Sequence, residues 1–424
     1  MVVGGGFGGF FAALRLEREL RRAGAAAPHV TLLSESNAML YTPFLAQAAG
    51  GTLEPRHVTV PLRGPLRRTN VLLGEAVGRD AEHLRITYRP RAGEERTLDY
   101  DHLIVAPGSV SRTPPVPGLA EAAVGFKTLP EAIHLRNHSL LLLEIATTTD
   151  DPPERAALLT FVFVGGGYAG VEALAELEDL LREAKTLHPA LRDTPMRWVL
   201  VEATESIFPE VGARLSAYAM RQLHRRGVEL RLGTTVTDAT GGRVVLSDGE
   251  AIPCRTLVWT TGVRPHPTVA AMALPTDAAG RIPVDATLAV HGCPGVWALG
   301  DAAAVPDPAR PQLSCPQTSQ HAIRQARLVA DNVLAALDGR PARPFRYRTR
   351  GLFVDLGRYK AVASVAGLQF SGFPAWFLGR TYHLAHIPGL ARKARVAIDW
   401  AVALVFKRDF AELGKLGHPE PLDE

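Results

Sequence analysis

The chain has 424 residues, enough for about two to three domains, and 46% hydrophobic with 21% charged residues is typical of a globular protein. These values exclude a disordered chain. The formal net charge is +4, and the basic excess lies near the C-terminal end, where residues 371–415 carry seven Lys or Arg and three Asp or Glu. Basic residues that flank apolar segments indicate an anionic membrane surface rather than a nucleic-acid partner.

The cysteines form no C-x-x-C pair and show no metal-ligand spacing. They are Cys254, Cys293 and Cys315. We expect buried, redox-inactive thiols and no metal site. Because Met1 leads directly into a strand, we expect no signal peptide. No apolar run approaches the roughly 18 residues of a membrane-spanning helix, so the sequence predicts a cytosolic or peripheral protein.

A glycine-rich turn follows a short strand at the start of the chain and precedes a predicted helix over residues 10–23. Its spaced glycines are Gly4, Gly6 and Gly9. The pattern G-x-G-x-x-G between strand and helix is typical of dinucleotide binding, because free N–H groups at the helix start face the pyrophosphate. The next predicted strand, 29–33, is followed by Glu35, which we interpret as the acceptor for the adenosine ribose hydroxyls; the alternative is a surface glutamate.

A second copy of this pattern lies in the middle of the chain, after the apolar strand Phe161–Val164 and before a predicted helix over 171–185. Its glycines are Gly165, Gly167 and Gly170. The following strand, 198–201, ends at Glu202, which stands in the same relation to its glycines as Glu35 does to the first set. A carboxylate there repels a 2′-phosphate, so the sequence predicts NADH rather than NADPH.

Two further strands end in small residues that allow close approach of a ligand. The first ends at Gly108. The second, over 296–299, is followed by Gly300 and Asp301 and then by a predicted helix over 317–337. We interpret Asp301 as a ligand for the ribityl hydroxyls of a flavin; a helix-capping aspartate is the alternative.

The C-terminal region predicts a helix around residues 375–387 and a second apolar helix over 396–406. Arg392, Lys393 and Arg395 precede the second helix, and Lys407 and Arg408 follow it. Its eleven residues would span about 16 Å, too short to cross about 30 Å of hydrocarbon. Such a helix can lie in the membrane interface. A dimer interface or ordinary core is the alternative.

Two dinucleotide sites in one chain indicate electron transfer between two nucleotides. The economical pairing is FAD in the first unit and transient NADH in the second, with hydride passing to the flavin. At this level the residues specify two nucleotide-binding units and leave the electron acceptor open.

Several longer motifs narrow this choice, because together they resemble the type II NADH:quinone oxidoreductases, a family of single-subunit, non-proton-pumping flavoproteins. The motifs are Gly4–Gly9, Y-D-H-L-I-V-A-P-G at 100–108, G-G-G-Y-A-G-V-E at 165–172, V-W-T-T-G-V-R-P at 258–265, V-W-A-L-G-D-A-A at 296–303, S-Q-H-A-I-R at 319–324 and the tail motifs at 357–361 and 370–376. The likeness covers nearly the whole chain.

The resemblance implies an α/β fold with two Rossmann-like dinucleotide-binding domains and a C-terminal helical membrane-associating segment. It predicts an FAD domain at 1–117, an inserted NADH domain at 118–265, the rest of the FAD domain at 266–345 and the membrane or dimerisation segment at 346–424. For FAD it implies Gly4, Gly6, Phe7, Gly9, Glu35, Thr42, Gly108, Gly300, Asp301, Gln320, His321 and Ala322. For NADH it implies Gly165, Gly167, Tyr168, Gly170, Glu202 and Gly262.

The resemblance also implies a quinone site. Gln320 occupies the place of the first glutamine in the family's A-Q-x-A-x-Q motif, whereas Ser319 and Arg324 depart from it; the alternative for Gln320 is a helix-surface residue. Glu172 matches a glutamate implicated in proton handling, and its alternative is a first-turn glutamate that favours the helix N-terminus. We therefore predict Glu172 and Gln320 as catalytic residues and Gln320 and Arg324 as quinone contacts.

The sequence thus predicts an NADH:quinone oxidoreductase, peripheral on the cytoplasmic face of the cell membrane, whose partners are NADH, a membrane quinone and a second copy of the chain. Three alternatives remain: a relative of sulfide:quinone reductases, a soluble NADH-dependent reductase of another acceptor, and a redox-sensing flavoprotein. The cysteine positions do not match the sulfide:quinone pattern. The basic tail favours the membrane enzyme over the soluble one.

Overall fold

The structure is a computed structural model that describes residues 1–22, 29–347 and 351–412. The helices within these ranges are α1 Phe7–Arg22, α2 Leu45–Ala49, α3 Leu119–Ala122, α4 Leu129–Thr148, α5 Pro152–Leu158, α6 Tyr168–Lys185, α7 Ala213–Arg225, α8 Thr268–Ala271, α9 Ser319–Leu337, α10 Phe373–His386 and α11 Leu390–Val405. The helix predicted over 10–23 corresponds to α1, which begins three residues earlier, at Phe7. Ala23 lies outside the described residues.

The chain divides into two compact units. The first comprises Met1–Leu40, Thr59–Val110 and Val263–Thr349; the second comprises Tyr41–Val58, Ser111–Gly262 and Arg350–Glu424. The chain thus leaves and re-enters the first unit. The four-segment division given above stays a prediction; in the structure, the short segment from Tyr41 to Val58 and the C-terminal segment are grouped with the unit that contains the second glycine turn.

The first unit is built on a seven-stranded sheet. Its strands, in spatial order, are Val296–Ala298, Leu103–Val105, Val2–Val3, Thr31–Ser34, Asn70–Asp80, Arg85–Pro90 and Arg96–Asp99. The first five pair in parallel, and the last two add antiparallel. Helices α1 and α9 pack against each other beside this sheet. The ends of the parallel strands therefore present the first glycine turn, Gly108 and Gly300 at one edge.

The second unit contains a five-stranded, fully parallel sheet. Its strands, in spatial order, are Ala123–Gly125, Thr256–Trp259, Thr160–Val164, Arg197–Val201 and Val228–Arg231. The central strand is buried along its whole length, which is why it reads as an unbroken apolar run. A three-stranded antiparallel sheet, Val236–Asp238, Arg243–Leu246 and Ala251–Pro253, packs its apolar residues into the same core.

The C-terminal part of the second unit is a three-stranded antiparallel sheet followed by α10 and α11. Its strands are Gly351–Asp355, Ala361–Val365 and Leu368–Ser371. The prediction of a helix over 396–406 was wrong at its start, because α11 begins at Leu390 and includes the three basic residues that were placed before it. Sixteen residues give a length of about 24 Å. Within the described ranges, no helix has the length and apolarity needed to cross a membrane.

Candidate functional site

The first glycine turn of the first unit has the backbone that the motif predicts. Gly4 has φ +104°, and its N–H donates to the Leu33 carbonyl at 2.8 Å. A Cβ on Gly9 would lie 1.8 Å from the Gly4 carbonyl oxygen, so this position requires glycine for helix and strand to pack. A Cβ on Gly6 would meet no protein atom within 4 Å, and Gly6 is exposed. The turn therefore leaves no space for a side chain at Gly9, whereas there is free space beside Gly6.

Glu35 follows the strand Thr31–Ser34 directly and lines a cavity of about 170 Å³ together with Gly4 and Gly6. His266, which the sequence did not single out, lines the same cavity, and its Nε2 lies 3.5 Å from a Glu35 carboxylate oxygen. A cavity with a glycine turn at one end and a carboxylate at the other fits the adenosine and pyrophosphate of a dinucleotide.

Gly300 and Asp301 lie at the same sheet edge as Gly108. The Ser109 hydroxyl donates to Asp301 Oδ2 at 2.5 Å, and the Gly300 N–H donates to Gln325 Oε1 at 2.8 Å. Asp301 is therefore not the cap of α9; Thr318 takes that role by accepting from the His321 N–H at 3.3 Å. Buried His321 and Ala322 lie in the first turn of α9.

Tyr347 contacts both residues that we predicted for the quinone. Its hydroxyl donates to Gln320 Oε1 at 3.0 Å, and the Arg324 guanidinium carbon lies 4.1 Å from the centre of its ring. The hydrogen bond fixes the orientation of the Gln320 amide, so its NH₂ end is the donor. Tyr347 lies beyond the end of α9, and no sequence motif connected it with Gln320.

The second glycine turn, in the second unit, repeats the geometry of the first. Gly165 has φ +116°, and its N–H donates to the Val201 carbonyl at 2.8 Å. A Cβ on Gly170 would lie 2.2 Å from the Gly165 carbonyl oxygen, whereas one on exposed Gly167 would meet nothing within 4 Å. Thr260 also holds this turn, because its hydroxyl lies 2.9 Å from the Val164 carbonyl oxygen and donates to it. Thr260 belongs to the motif at 258–265, but the sequence indicated no role for it.

Glu202 is fixed beside this turn by two backbone donors. The Gly166 N–H donates to Oε2 at 2.6 Å and the Thr204 N–H to Oε1 at 2.9 Å. Two charge-assisted hydrogen bonds hold a carboxylate in one orientation. The other predicted NADH residues lie in the same unit: Tyr168 begins α6 and stacks on Phe208 with ring centres 5.4 Å apart, and exposed Gly262 follows the strand Thr256–Trp259.

The structure places Thr42 and Glu172 in the second unit and Gln320 in the first. Thr42, predicted for FAD, is an exposed residue of the second unit, in a short 3₁₀ helix Thr42–Phe44. Gln320 and Arg324 belong to the first unit and Glu172 to the second. The roles of all four residues stay predictions, and each residue is described within its own unit.

Glu172 lies on α6, one turn after the glycine turn. Its Oε1 accepts the Asp355 N–H at 2.9 Å. Burial raises the pKa of Glu172 to about 8; the Asp355 hydrogen bond opposes this, and the negative charges of Asp355 and Glu176 add to it. Burial likewise raises the pKa of Asp355, against the effect of Arg380, whose Nη2 is 3.7 Å from its carboxylate. Glu172 therefore holds its proton near neutral pH.

Cys254 and Cys315 are buried, Cys293 is partly buried, and all are free thiols. Burial raises the pKa of Cys254 and of Cys315 to about 11, which suppresses the reactive thiolate.

Comparison with known proteins assigns the chain to a family. The family described as pyridine nucleotide-disulphide oxidoreductase matches residues 1–326. The type II NADH:quinone oxidoreductase Ndh of Mycobacterium tuberculosis is 32% identical, over 96% of this chain and 88% of its own length. The chain belongs to the type II NADH:quinone oxidoreductases. The resemblance inferred from the motifs is thus confirmed.

A further relative and a solved structure are similar to nearly the whole chain. Demethylphylloquinone reductase NdbB of Synechocystis is 31% identical, over 94% of both chains. The structure of NDH2 from Plasmodium falciparum in complex with NADH aligns with a TM-score of 0.87 at 19% identity, over 97% of this chain and 99% of that chain. The structural match shows a shared fold, and the predicted α/β class is confirmed.

Proposed function

We propose that the protein oxidises NADH and reduces a membrane quinone through bound FAD, without pumping protons. The observation that carries this proposal is the presence of two complete dinucleotide-binding turns, one on each parallel sheet, each with a carboxylate after the next strand. Glu35 completes the first and Glu202 the second. Membership of the type II family supports a quinone as the acceptor.

FAD fits the first unit and, when bound, supplies the two-electron chemistry that no side chain can perform. The open Cβ space at Gly6 leaves room for the pyrophosphate, and the cavity beside Glu35 suits the adenosine. Asp301, held by Ser109, is set to bind the ribityl hydroxyls. This part of the proposal also includes four further FAD contacts predicted from the sequence: Phe7, Gly108, His321 and Ala322.

The second unit binds NADH, and Glu172 handles a proton. Gly167 is the point of closest approach for the pyrophosphate, and Glu202 accepts the adenosine ribose hydroxyls. Because its pKa is about 8, Glu172 holds a proton near pH 7 and can give it up to a reduced quinone. Gln320 donates through its oriented amide to a quinone carbonyl, and Arg324, seated on Tyr347, shapes the same pocket.

Stopped-flow spectroscopy of the bound flavin tests the proposed function. NADH should bleach the flavin rapidly and NADPH much more slowly, and a quinone analogue should restore the oxidised spectrum. A flavin that NADH does not bleach would contradict the proposal. A flavin that NADH bleaches and quinone does not reoxidise would favour a soluble reductase or a redox sensor. Reduction by sulfide would favour the sulfide:quinone alternative.

Replacing Glu202 by Gln should shift the nucleotide preference. The change keeps the side-chain shape and removes the charge that repels a 2′-phosphate. One of the two backbone donors, the Gly166 or the Thr204 N–H, also loses its acceptor. We expect the ratio of kcat/KM for NADH over NADPH to fall about tenfold, which is 1.4 kcal/mol of discrimination. Glu229→Gln, which changes a carboxylate bonded to Arg197 on the neighbouring strand, is the matched control. An unchanged ratio in Glu202→Gln would remove this residue from specificity.

The C-terminal helix α11 supports a peripheral membrane location. Ile398, Val402 and Val405 lie on one face and are 60%, 50% and 77% exposed. An adjacent face is tied to its own unit, because Asp399 Oδ2 accepts from the Glu54 N–H at 3.1 Å and lies 2.6 Å from His57 Nδ1. An amphipathic helix with basic residues near its ends can lie in the interface on anionic headgroups. The cytoplasmic face and pairing of two subunits remain parts of the proposal.

The double substitution Ile398→Glu with Val402→Glu should release the protein from membranes. Each exposed apolar side chain contributes about 1.5–3 kcal/mol when it enters an apolar phase, so partition into anionic vesicles should fall at least tenfold. Bleaching of the flavin by NADH should persist. Leu337→Glu with Leu187→Glu, which replaces two side chains 58% and 59% exposed outside α11, controls for the two added charges. Equal vesicle binding by the double variant and this control would contradict the assignment.

A further inference from the structure

The carboxylates that we assign to the two adenosine riboses are held in different ways. Glu202, in the second unit, accepts from the Gly166 N–H, the Thr204 N–H and the Thr204 hydroxyl. Glu35, in the first unit, lies beside His266, whose Nε2 is 3.5 Å from Oε1. Within the described residues, no other hydrogen bond or ion pair reaches the Glu35 carboxylate. The His266 side chain thus stands where the second unit has backbone donors.

His266 is held in place by contacts within the first unit. It follows the strand Val263–Pro265, and its backbone N–H donates to the Gly108 carbonyl at 3.1 Å. Its Nδ1 accepts from the Thr268 N–H at 3.4 Å and lies 3.0 Å from the Thr268 hydroxyl oxygen. The His266 side chain is 20% exposed, whereas that of Glu35 is 55% exposed. The imidazole is therefore fixed, and the carboxylate has room to turn.

The same contacts decide which imidazole nitrogen carries the proton. A backbone N–H can only donate, so Nδ1 is the acceptor for Thr268. In the neutral ring the proton therefore lies on Nε2, the nitrogen that faces Glu35 Oε1. Their separation of 3.5 Å is longer than the roughly 2.7–3.2 Å of a formed N–H···O hydrogen bond. A small rotation of the exposed Glu35 side chain is enough to close this bond.

The location of this pair gives the His266 donor a role in ligand binding. Both residues line the cavity of about 170 Å³ that includes the first glycine turn. A carboxylate that accepts from two ribose hydroxyls must be held in one orientation. An exposed glutamate loses side-chain entropy when a ligand fixes it, and it loses less when a neighbouring donor already restricts it. A donor directed at Oε1 therefore favours binding of the adenosine by preorganisation.

We propose that His266 positions Glu35 for the adenosine ribose of FAD, and so makes the first unit selective for a flavin that carries both ribose hydroxyls. The inference rests on the proposed function, because it assumes the FAD site of the first unit, and it adds a positioning residue to that site. The competing role for His266 is structural, because its Nδ1 also holds Thr268, the first residue of α8.

Two substitutions of His266 separate these roles, because each amide side chain replaces one of the two ring nitrogens. In His266→Asn the amide oxygen can still accept from the Thr268 N–H, but the side chain is too short to reach Glu35. In His266→Gln the amide NH₂ can donate to Glu35, and the acceptor for Thr268 is lost. We expect FAD affinity to fall about five- to tenfold in His266→Asn, the effect of one hydrogen bond, and to stay within about twofold in His266→Gln. A structural role predicts the reverse order.

Flavin fluorescence measures these affinities on the full chain after its FAD has been removed. The two ligands are FAD and an FAD whose adenosine lacks the 2′-hydroxyl. His266→Asn should lower the preference for FAD over this analogue about fivefold. In a chain that already carries Glu35→Gln, adding His266→Asn should change FAD affinity less than about twofold, because the two residues act as one unit. His291→Asn, at an exposed histidine of the same unit, is the control and should leave both affinities unchanged.

Three results would each overturn the inference: an unchanged ligand preference in His266→Asn, an equal loss of FAD affinity in the Asn and Gln variants, or an undiminished effect of His266→Asn beside Glu35→Gln. Bleaching by NADH and reoxidation by quinone are measured on the reconstituted wild type. A wild type that binds FAD and turns over, but in which His266 has none of these effects, refutes only this inference. A wild type that binds no FAD refutes the proposed function itself.

Discussion

Quinone reduction by the Glu172→Gln variant is expected to fall roughly 10²-fold, the lower range for loss of a positioned proton donor. Gln keeps the shape of the side chain and can still accept the Asp355 N–H, which lies 2.9 Å from Glu172 Oε1, but it cannot release a proton. Bleaching of the flavin by NADH should change less than twofold. Stopped-flow measurement of both half-reactions separates the two effects.

The stability of the same variant should depend on pH in a defined direction. The pKa of Glu172 rises from 4.5 in the unfolded chain to about 8 in the folded protein, so the folded state binds the proton more tightly. The wild type therefore loses the stability contributed by this group as the pH rises from about 4.5 through 8. Gln does not titrate. The melting temperature of the variant relative to wild type should thus rise between pH 5 and pH 8.

Glu183→Gln is the control for both measurements, because Glu183 lies on the same helix and pairs with Arg358 at 3.4 Å. Its quinone reduction should remain within about twofold of wild type. Normal quinone reduction by Glu172→Gln, with normal flavin content, would show that Glu172 takes no part in the reaction. A difference in melting temperature that stays constant with pH would show that Glu172 is ionised at neutral pH.

Replacing Gly167 by Ala should raise the KM for NADH roughly 10²-fold, the effect of displacing a bound group by about 1 Å. The new Cβ meets no protein atom within 4 Å, and the φ of −76° suits alanine, so the protein should fold normally. The methyl group instead stands where the pyrophosphate approaches the helix start. Steady-state kinetics with NADH, together with flavin content and melting temperature, checks this result.

Gly170→Ala provides the contrast to that variant. Its Cβ would lie 2.2 Å from the Gly165 carbonyl oxygen and 2.5 Å from the Thr260 hydroxyl oxygen, so the turn itself must shift. We expect a loss of about 1–3 kcal/mol in the free energy of unfolding as well as weaker NADH binding. If both variants lost stability equally, or if Gly167→Ala bound NADH normally, the open position would not be a phosphate contact.

The nucleotide units could be predicted from sequence because their signals are local. Phe161–Val164 forms a fully buried strand, and its glycines follow at a spacing that only one kind of turn satisfies. The positions of Glu35 and Glu202 after the next strand follow from the same local order. Helices α1, α6, α9 and α10 were predicted within three residues of their ends, whereas the start of α11 was not. There, three basic residues were placed before the helix, although Arg and Lys favour helices as much as Leu does.

The polar contacts beyond these turns could not be predicted, because they join residues that are distant in sequence. Asp355 is 183 positions from Glu172, and Gln47 is 333 positions from Arg380. A single sequence contains no periodicity or motif spacing that would indicate either contact. Tyr347 contacts Gln320 across only 27 positions, but the contact depends on how the chain turns after α9. Such contacts are set by packing rather than by local propensity.

Helix α6 carries three features on one rigid rod: the glycine turn at its N-terminus, Glu172 and Glu176. Each residue of a helix turns the chain by about 100° and advances it 1.5 Å. A single insertion or deletion between Gly167 and Glu176 would therefore rotate Glu176 away from Arg408 and Thr52, even with every side chain retained. This helix can therefore accept single substitutions, whereas the number of residues between Gly167 and Glu176 is fixed.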